Sequence, residues 1–165
     1  MRKSMTGVEE FYAHALAIER EAMERYAEFE AWFGDRGEEV LAGLCGNFAQ
    51  MEAGHLRELE ARCRGLSLPV IAAGEHRWLE AGPPEAPARE LFYRVAEPRH
   101  LLEIALQAEM NALSYFEWVA RDTVDPGVRA LAEELAAEER DHVKWAAQAL
   151  EYHPSRRIDW EAVLQ

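Results

Sequence analysis

Between residues 8 and 33 the chain carries neither glycine nor proline, and apolar side chains recur at Phe11, Ala15, Ile18, Ala22, Tyr26 and Phe29. Positions three and four apart share one face of an α-helix, so this stretch predicts an amphipathic helix. Gly34-Asp35-Arg36-Gly37 reads as a short helix-to-helix turn. A second helical pattern spans about 38–64 through Leu41, Leu44, Phe48, Met51, His55, Leu56 and Leu59, interrupted by Gly43, Gly46 and Gly54. Each glycine costs a helix about 1 kcal/mol against alanine, so close helix packing or a bend is expected there.

Residues 65–97 break the pattern. Pro69, Pro83, Pro84 and Pro87 fall within this segment and Pro98 borders it, yet Trp78, Leu79, Leu91, Phe92 and Tyr93 keep it apolar. It reads as an ordered connection, with a short helix over 88–96. Pro98 suits the first position of a third long helix, running through Leu102, Ala105, Leu106, Glu109, Leu113 and Phe116 to about residue 120. Asp125 is a natural N-cap for a fourth, with Pro126 at its first position and His153-Pro154 ending it. Residues 153–165 form a short tail whose Trp160 is expected to dock on the body. Short turns give antiparallel neighbours, and a connection of about 33 residues outreaches a 25-residue helix of roughly 37 Å. The pattern predicts an all-α four-helix bundle with one long crossover between the second and third long helices.

An inward stripe should be apolar, but every long helix interrupts it. Glu19 shares the face of Phe11, Ala15, Ala22 and Tyr26; Glu52 and His55 share that of Leu44, Phe48 and Leu59. Glu109 lies in line with Leu102, Ala105 and Phe116, while Glu139 and His142 continue the stripe of Val128, Ala132 and Leu135. With 26 Glu and 6 His in 165 residues, about one Glu-x-x-His is expected by chance, and the chain has three. Glu97-Pro98-Arg99-His100 straddles a helix start and is set aside as a decoy. The repeat is the stronger signal: Glu19 precedes Glu52 by 33 residues and Glu109 precedes Glu139 by 30, so each half places a lone Glu before a Glu-x-x-His.

Composition narrows the reading. At 165 residues and 18.8 kDa the chain is long enough for one domain, and 49% hydrophobic content supports a buried core. Eighteen basic against 31 acidic residues give a net charge of −13, which argues against a nucleic-acid or anionic-membrane partner, since both need a basic face. No apolar run approaches the ~20 residues of a membrane span. The first residues lead into Glu9 and Glu10 rather than an apolar signal core, so a cytoplasmic location is expected. Two cysteines, Cys45 and Cys63, make neither a disulfide framework nor a four-cysteine metal site.

Burying four unpaired carboxylates costs several kcal/mol each. Two divalent cations would balance the four charges, and carboxylate oxygen with imidazole nitrogen suits iron or manganese, and zinc less exclusively. Lone Glu residues on two helices and Glu-x-x-His on two others form the arrangement of di-iron and di-manganese carboxylate bundles. The alternative is a buried ion-pair network without metal.

The segments Ala17-Ile-Glu19-Arg-Glu-Ala22-Met-Glu-Arg-Tyr26, Met51-Glu52-Ala-Gly-His55, Ala108-Glu109-Met-Asn-Ala112-Leu-Ser-Tyr115-Phe116 and Ala137-Glu138-Glu139-Arg-Asp-His142 resemble rubrerythrin-type, ferritin-like di-iron proteins over about residues 8–152. The resemblance implies two iron ions per chain, with manganese or a mixed pair as variants. It implies metal ligands Glu19, Glu52, His55, Glu109, Glu139 and His142, with Glu52 and Glu139 bridging. Two departures stand out. Rubrerythrins proper add a rubredoxin-like domain held by four cysteines, and they place a further Glu where this sequence has Ala112. The ligand set is therefore expected to be a symmetric six, and a separate rubredoxin-like electron donor would be needed for turnover.

Three functional classes follow: an oxidoreductase of oxidative-stress type reducing H2O2 or O2 as Fe(II) is oxidised, an iron or manganese binding or storage protein, and a structural bundle whose carboxylates only pair with one another. Tyr26 lies two turns beyond Glu19 on the same face and reads equally as a hydrogen-bond partner of a ligating Glu or as a core tyrosine reaching the surface. Glu138 and Asp141 are assigned to a solvated helix face, and His14, His76, His100 and His153 to the surface. Cys45 is expected to fill the core and Cys63 to present an exposed thiol. A homodimer is expected, because the resembled family pairs bundles and the connection is expected to expose Trp78, Leu91 and Phe92.

Overall fold

The computed structural model describes residues 5, 7–72, 75–79 and 82–152. Its long helices are α1 (Val8–Gly34), α2 (Glu39–Arg62), α4 (Pro98–Asp122) and α5 (Pro126–Tyr152), with α3 (Arg89–Phe92) a single turn inside the crossover. The result is an all-α ferritin-like bundle, with no strand among the described residues. At the first turn, Gly37 adopts φ +74° while the Glu38 amide bonds back to the Phe33 carbonyl at 3.0 Å, which reverses the chain. The Arg20–Glu60 ion pair and the approach of Glu30 to Gly46 show α1 and α2 running antiparallel. Arg140–Glu117 ties α5 back along α4 in the same sense. Asp125 caps α5, its Oδ1 accepting from the amides of Gly127 and Val128 at 2.8 and 3.0 Å.

Two apolar clusters fill the bundle. One gathers Phe11, Ile18, Leu56, Tyr115, Phe116, Val128 and Leu135; the other gathers Tyr26, Phe29, Phe33, Phe48, Phe92 and Leu101. On every long helix the glutamate of the inward stripe falls between the two.

The crossover lies along α1 and runs parallel to it. At one end the Arg77 amide donates to His14 Nε2 at 3.2 Å, Arg77 pairs with Glu10, and Trp78 meets Tyr115 edge-on at 5.6 Å. At the other end an Arg25 guanidinium N–H donates to the Pro87 carbonyl, Arg89 pairs with Glu28, and the Phe92 ring stacks on Phe29 at 3.7 Å.

Several expectations are corrected. The helix expected over 88–96 is only four residues long, because beyond Phe92 the amides of Arg94 and Val95 bond three residues back, to the Leu91 and Phe92 carbonyls, and the chain leaves as tight turns. Phe92 is fully buried and Trp78 packs partly against the core, so of the three apolar residues expected to be exposed only Leu91 is. His14 is buried, its Nδ1–H donating to the Glu10 carbonyl at 2.8 Å while Nε2 accepts from Arg77; burial lowers its pKa, and the ring is the crossover's anchor. Cys63 is buried as well. Close packing occurs at Gly46 alone of the three α2 glycines, where a Cβ would meet the Glu30 carboxylate at 2.5 Å; Gly43 and Gly54 have room. His153 and Trp160 lie outside the described residues.

Candidate metal centre

Helical periodicity places the six polar residues at one level of the bundle. Glu19, Glu52, Glu109 and Glu139 are all buried, and His55 and His142 stand at the edge of the layer, partly accessible. On the α1–α2 side, His55 Nδ1 bonds to Glu52 Oε2 at 3.1 Å and lies 3.5 Å from Glu19 Oε2. On the α4–α5 side, His142 Nδ1 bonds to Glu139 Oε2 at 3.2 Å and lies 3.3 Å from Glu109 Oε2. The two imidazoles stack on each other, centroids 4.4 Å apart and planes 7° from parallel, so the half-sites meet at the histidines.

A seventh residue completes the layer. Glu85, in the Pro83-Pro84-Glu85-Ala86-Pro87 stretch of the crossover, is fully buried with neither carboxylate oxygen hydrogen-bonded. Its carboxylate joins Glu109, Glu139 and His142, with one donor atom from each within 4.8 Å of the others; Glu19, Glu52 and His55 form the second such group. Sequence reasoning missed Glu85 because a proline-rich connection has no periodicity by which to assign a face. The signal available was a lone Glu among prolines in an otherwise apolar segment.

The electrostatics follow from burial. Glu52 is pushed up to about 7 and Glu139 to about 8, chiefly by desolvation and then by neighbouring carboxylates, with the histidine hydrogen bonds pulling the other way. Glu85 is held well above the usual carboxylate range, by burial first and then by Glu19, Glu52, Glu139 and Glu109. Burial alone would lower the imidazoles, but the negative carboxylates of Glu19 and Glu52 beside His55, and of Glu109 and Glu139 beside His142, raise them to about 10 and about 11. Glu19 Oε2, Glu52 Oε1, Glu109 Oε2 and both oxygens of Glu85 are buried without a hydrogen-bond partner. Native proteins rarely leave such atoms orphaned, and five hard oxygens converging beside two imidazole nitrogens fit an iron- or manganese-type ion.

Nearby residues sort plainly. Tyr26 is buried between Phe48 and Phe92, its pKa raised well above the usual value by burial and then by Glu52, Glu109 and Glu85, so it does not reach the surface. Glu138 pairs with Arg62 and Asp141 with Lys144, both on exposed faces. Glu97 and His100 make a 3.5 Å contact at the outer start of α4, apart from the layer. Cys45 is a buried filler whose thiol burial pushes up to about 12. His76 stacks on Trp78 at 4.7 Å, partly buried.

A four-helix bundle whose core is cut by a layer of carboxylates and histidines belongs to the ferritin-like class. Comparison with known proteins narrows this: the rubrerythrin family model matches residues 10–150, and the chain belongs to the rubrerythrin family. The family implies a di-iron carboxylate site. Among solved structures, an uncharacterized conserved protein from Magnetospirillum magnetotacticum MS-1 is 30% identical, with a TM-score of 0.66 over 92% of this chain and 99% of its own. No curated protein sequence shows significant similarity to this chain.

Proposed function

We propose that the buried layer holds two iron ions per chain and that the protein is an oxidoreductase, reducing hydrogen peroxide or dioxygen as Fe(II) is oxidised. The observation that carries this reading is the set of five buried carboxylate oxygens without hydrogen-bond partners, aimed into one layer beside two imidazoles. When bound, the metal pair supplies one-electron steps and Lewis acidity. The chain's own groups supply the rest. Glu19, Glu52 and His55 would hold one ion, and Glu109, Glu139 and His142 the other. Binding of a metal by these residues would displace protons from the histidines and the raised carboxylates. The two apolar clusters above and below exclude bulk water. A groove of about 480 Å³ between the crossover and α4 is walled by Pro84, Ala86 and Ala108, chain neighbours of Glu85 and Glu109, and offers a small oxidant a way in.

In this reading the protein works in the cytoplasm, takes electrons from a separate rubredoxin-like donor and pairs as a homodimer. No helix among the described residues is long and apolar enough to cross a membrane. The second reading, iron or manganese binding or storage without turnover, draws on the same donor set. Anaerobic reconstitution with Fe(II) followed by elemental analysis tests the site: about two iron per chain in the natural protein, and loss in Glu52→Ala, are expected. No retained iron would overturn the reading. Stopped-flow mixing with peroxide and with oxygen then separates the two: rapid repeated oxidation supports the oxidoreductase, and binding without redox cycling supports storage.

A further inference from the structure

We propose that Glu85 is a seventh ligand, delivered by the crossover to the α4–α5 half of the centre, so that the two metal positions are inequivalent. The proposal rests on the metal-binding reading above and adds an asymmetry that the repeated helix motifs do not contain. Its basis is geometric. The Glu85 side chain is fully buried, both oxygens lack a hydrogen-bond partner, and it groups with Glu109, Glu139 and His142 rather than with Glu19, Glu52 and His55.

The local chain explains why this carboxylate stays unsatisfied by protein. Pro83, Pro84 and Pro87 lack amide hydrogens, so the stretch has few donors of its own. Arg25 reaches the same stretch but donates to the Pro87 carbonyl instead. The segment is also not free to withdraw. Arg77 on His14 anchors it before Glu85, and Arg25 on Pro87 with Phe92 on Phe29 anchor it after. A carboxylate pinned into a carboxylate layer from both sides is a stable arrangement when a cation shares it. The α4–α5 position then has three carboxylates and one imidazole, and the α1–α2 position two carboxylates and one imidazole. The more anionic position binds its ion more tightly and favours the higher oxidation state.

The test compares the natural chain, Glu85→Gln and Glu19→Gln, each metal-free, titrated anaerobically with Fe(II) and separately with Co(II). Bound metal is counted by elemental analysis, and the ligand-field spectrum of Co(II) reports each position. Far-ultraviolet circular dichroism verifies the fold, and Glu85→Asp substitutes if the Gln variant does not fold. The natural chain is expected to fill two positions in sequence, with distinct Co(II) spectra. Glu85→Gln is expected to weaken the tighter position at least tenfold, the lower end of what even an outer partner of a ligand costs, and to leave the other spectrum in place. Glu19→Gln should give the complementary loss. Two positions of unchanged affinity in the folded Glu85 variant would overturn the proposal while leaving the metal centre standing, and so would equal loss of both. A natural chain that binds neither ion would instead overturn the metal-binding reading itself.

Discussion

The two helical hairpins carry the same sentence twice, and the structure reads it differently each time. In α1–α2, Glu19, Glu52 and His55 make a group of three; in α4–α5, Glu109, Glu139 and His142 are joined by Glu85 from the crossover. The crossover itself straddles the halves. It is held to α1 through His14, Glu28 and Phe29, with Trp78 reaching Tyr115 on α4, while the buried carboxylate of Glu85 groups with residues of α4 and α5. A motif repeated in sequence gives equivalent sites only if everything packed over it is repeated too. A single crossover in a bundle of two hairpins cannot be.

The comparison can be broken most severely at the ligands. Glu139→Ala should lower metal content from about two to one or fewer per chain and slow Fe(II) oxidation at least tenfold, whereas Glu24→Ala, on an exposed face, should change neither. Equal metal content in Glu139→Ala and the natural chain would remove α5 from the site.

Next comes the clamp that lets one half reach the other. Truncating Phe92, fully buried against Phe29, should destabilise the fold by about 3–5 kcal/mol, on the order of 6–20 °C in Tm. Because this loosens the segment carrying Glu85, the α4–α5 metal should weaken more than the α1–α2 metal. A melt within about a degree or two of the natural protein would show that the crossover is held elsewhere.

pH is expected to act more gently, and on both halves. Glu52 and Glu139 rise from 4.5 to about 7 and 8 on folding, and His55 and His142 from 6.5 to about 10 and 11. Every one of these folded-state values is raised, so the native protein binds more protons than the unfolded chain and loses stability as pH increases. The carboxylate contribution fades between about pH 4.5 and 8, and the imidazole contribution between about 6.5 and 11. Thermal melts of the metal-free protein at about pH 6, 7.5 and 9 should fall in that order. With metal bound in place of the protons the fall should be shallower, and a metal-free Tm rising with pH would contradict the protonated layer.

The smallest effect sharpens the comparison as a control. Gly43→Ala adds a methyl where nothing lies within 4 Å and should stabilise α2 by up to about 1 kcal/mol, with metal content unchanged. A loss of metal in that variant would mean that the α2 backbone position, rather than the side chains, sets the site.

Much of this molecule is legible in its sequence. Helical spacing alone put Glu19, Glu52, His55, Glu109, Glu139 and His142 on inward faces, because a period near 3.6 residues fixes which side chains share a side. Asp125 and Pro126 marked the start of α5 through cap chemistry that is local to the chain. The failures fall where no period exists. His14 was assigned to the surface because its partner, the Arg77 amide, is 63 residues away. Phe92 was expected to be exposed because nothing in its neighbourhood announces the ring of Phe29.

The sequence by itself therefore determined the helices, their inward faces and the twofold pattern of carboxylate and histidine, all set by interactions within a few residues of each other. Only the tertiary structure decided how the crossover lies on α1, and with it that Glu85 is carried into the buried layer, grouped with Glu109, Glu139 and His142. That choice depends on contacts between segments remote in sequence, Arg77 with His14 and Phe92 with Phe29, whose pairing no local rule of backbone or side chain specifies.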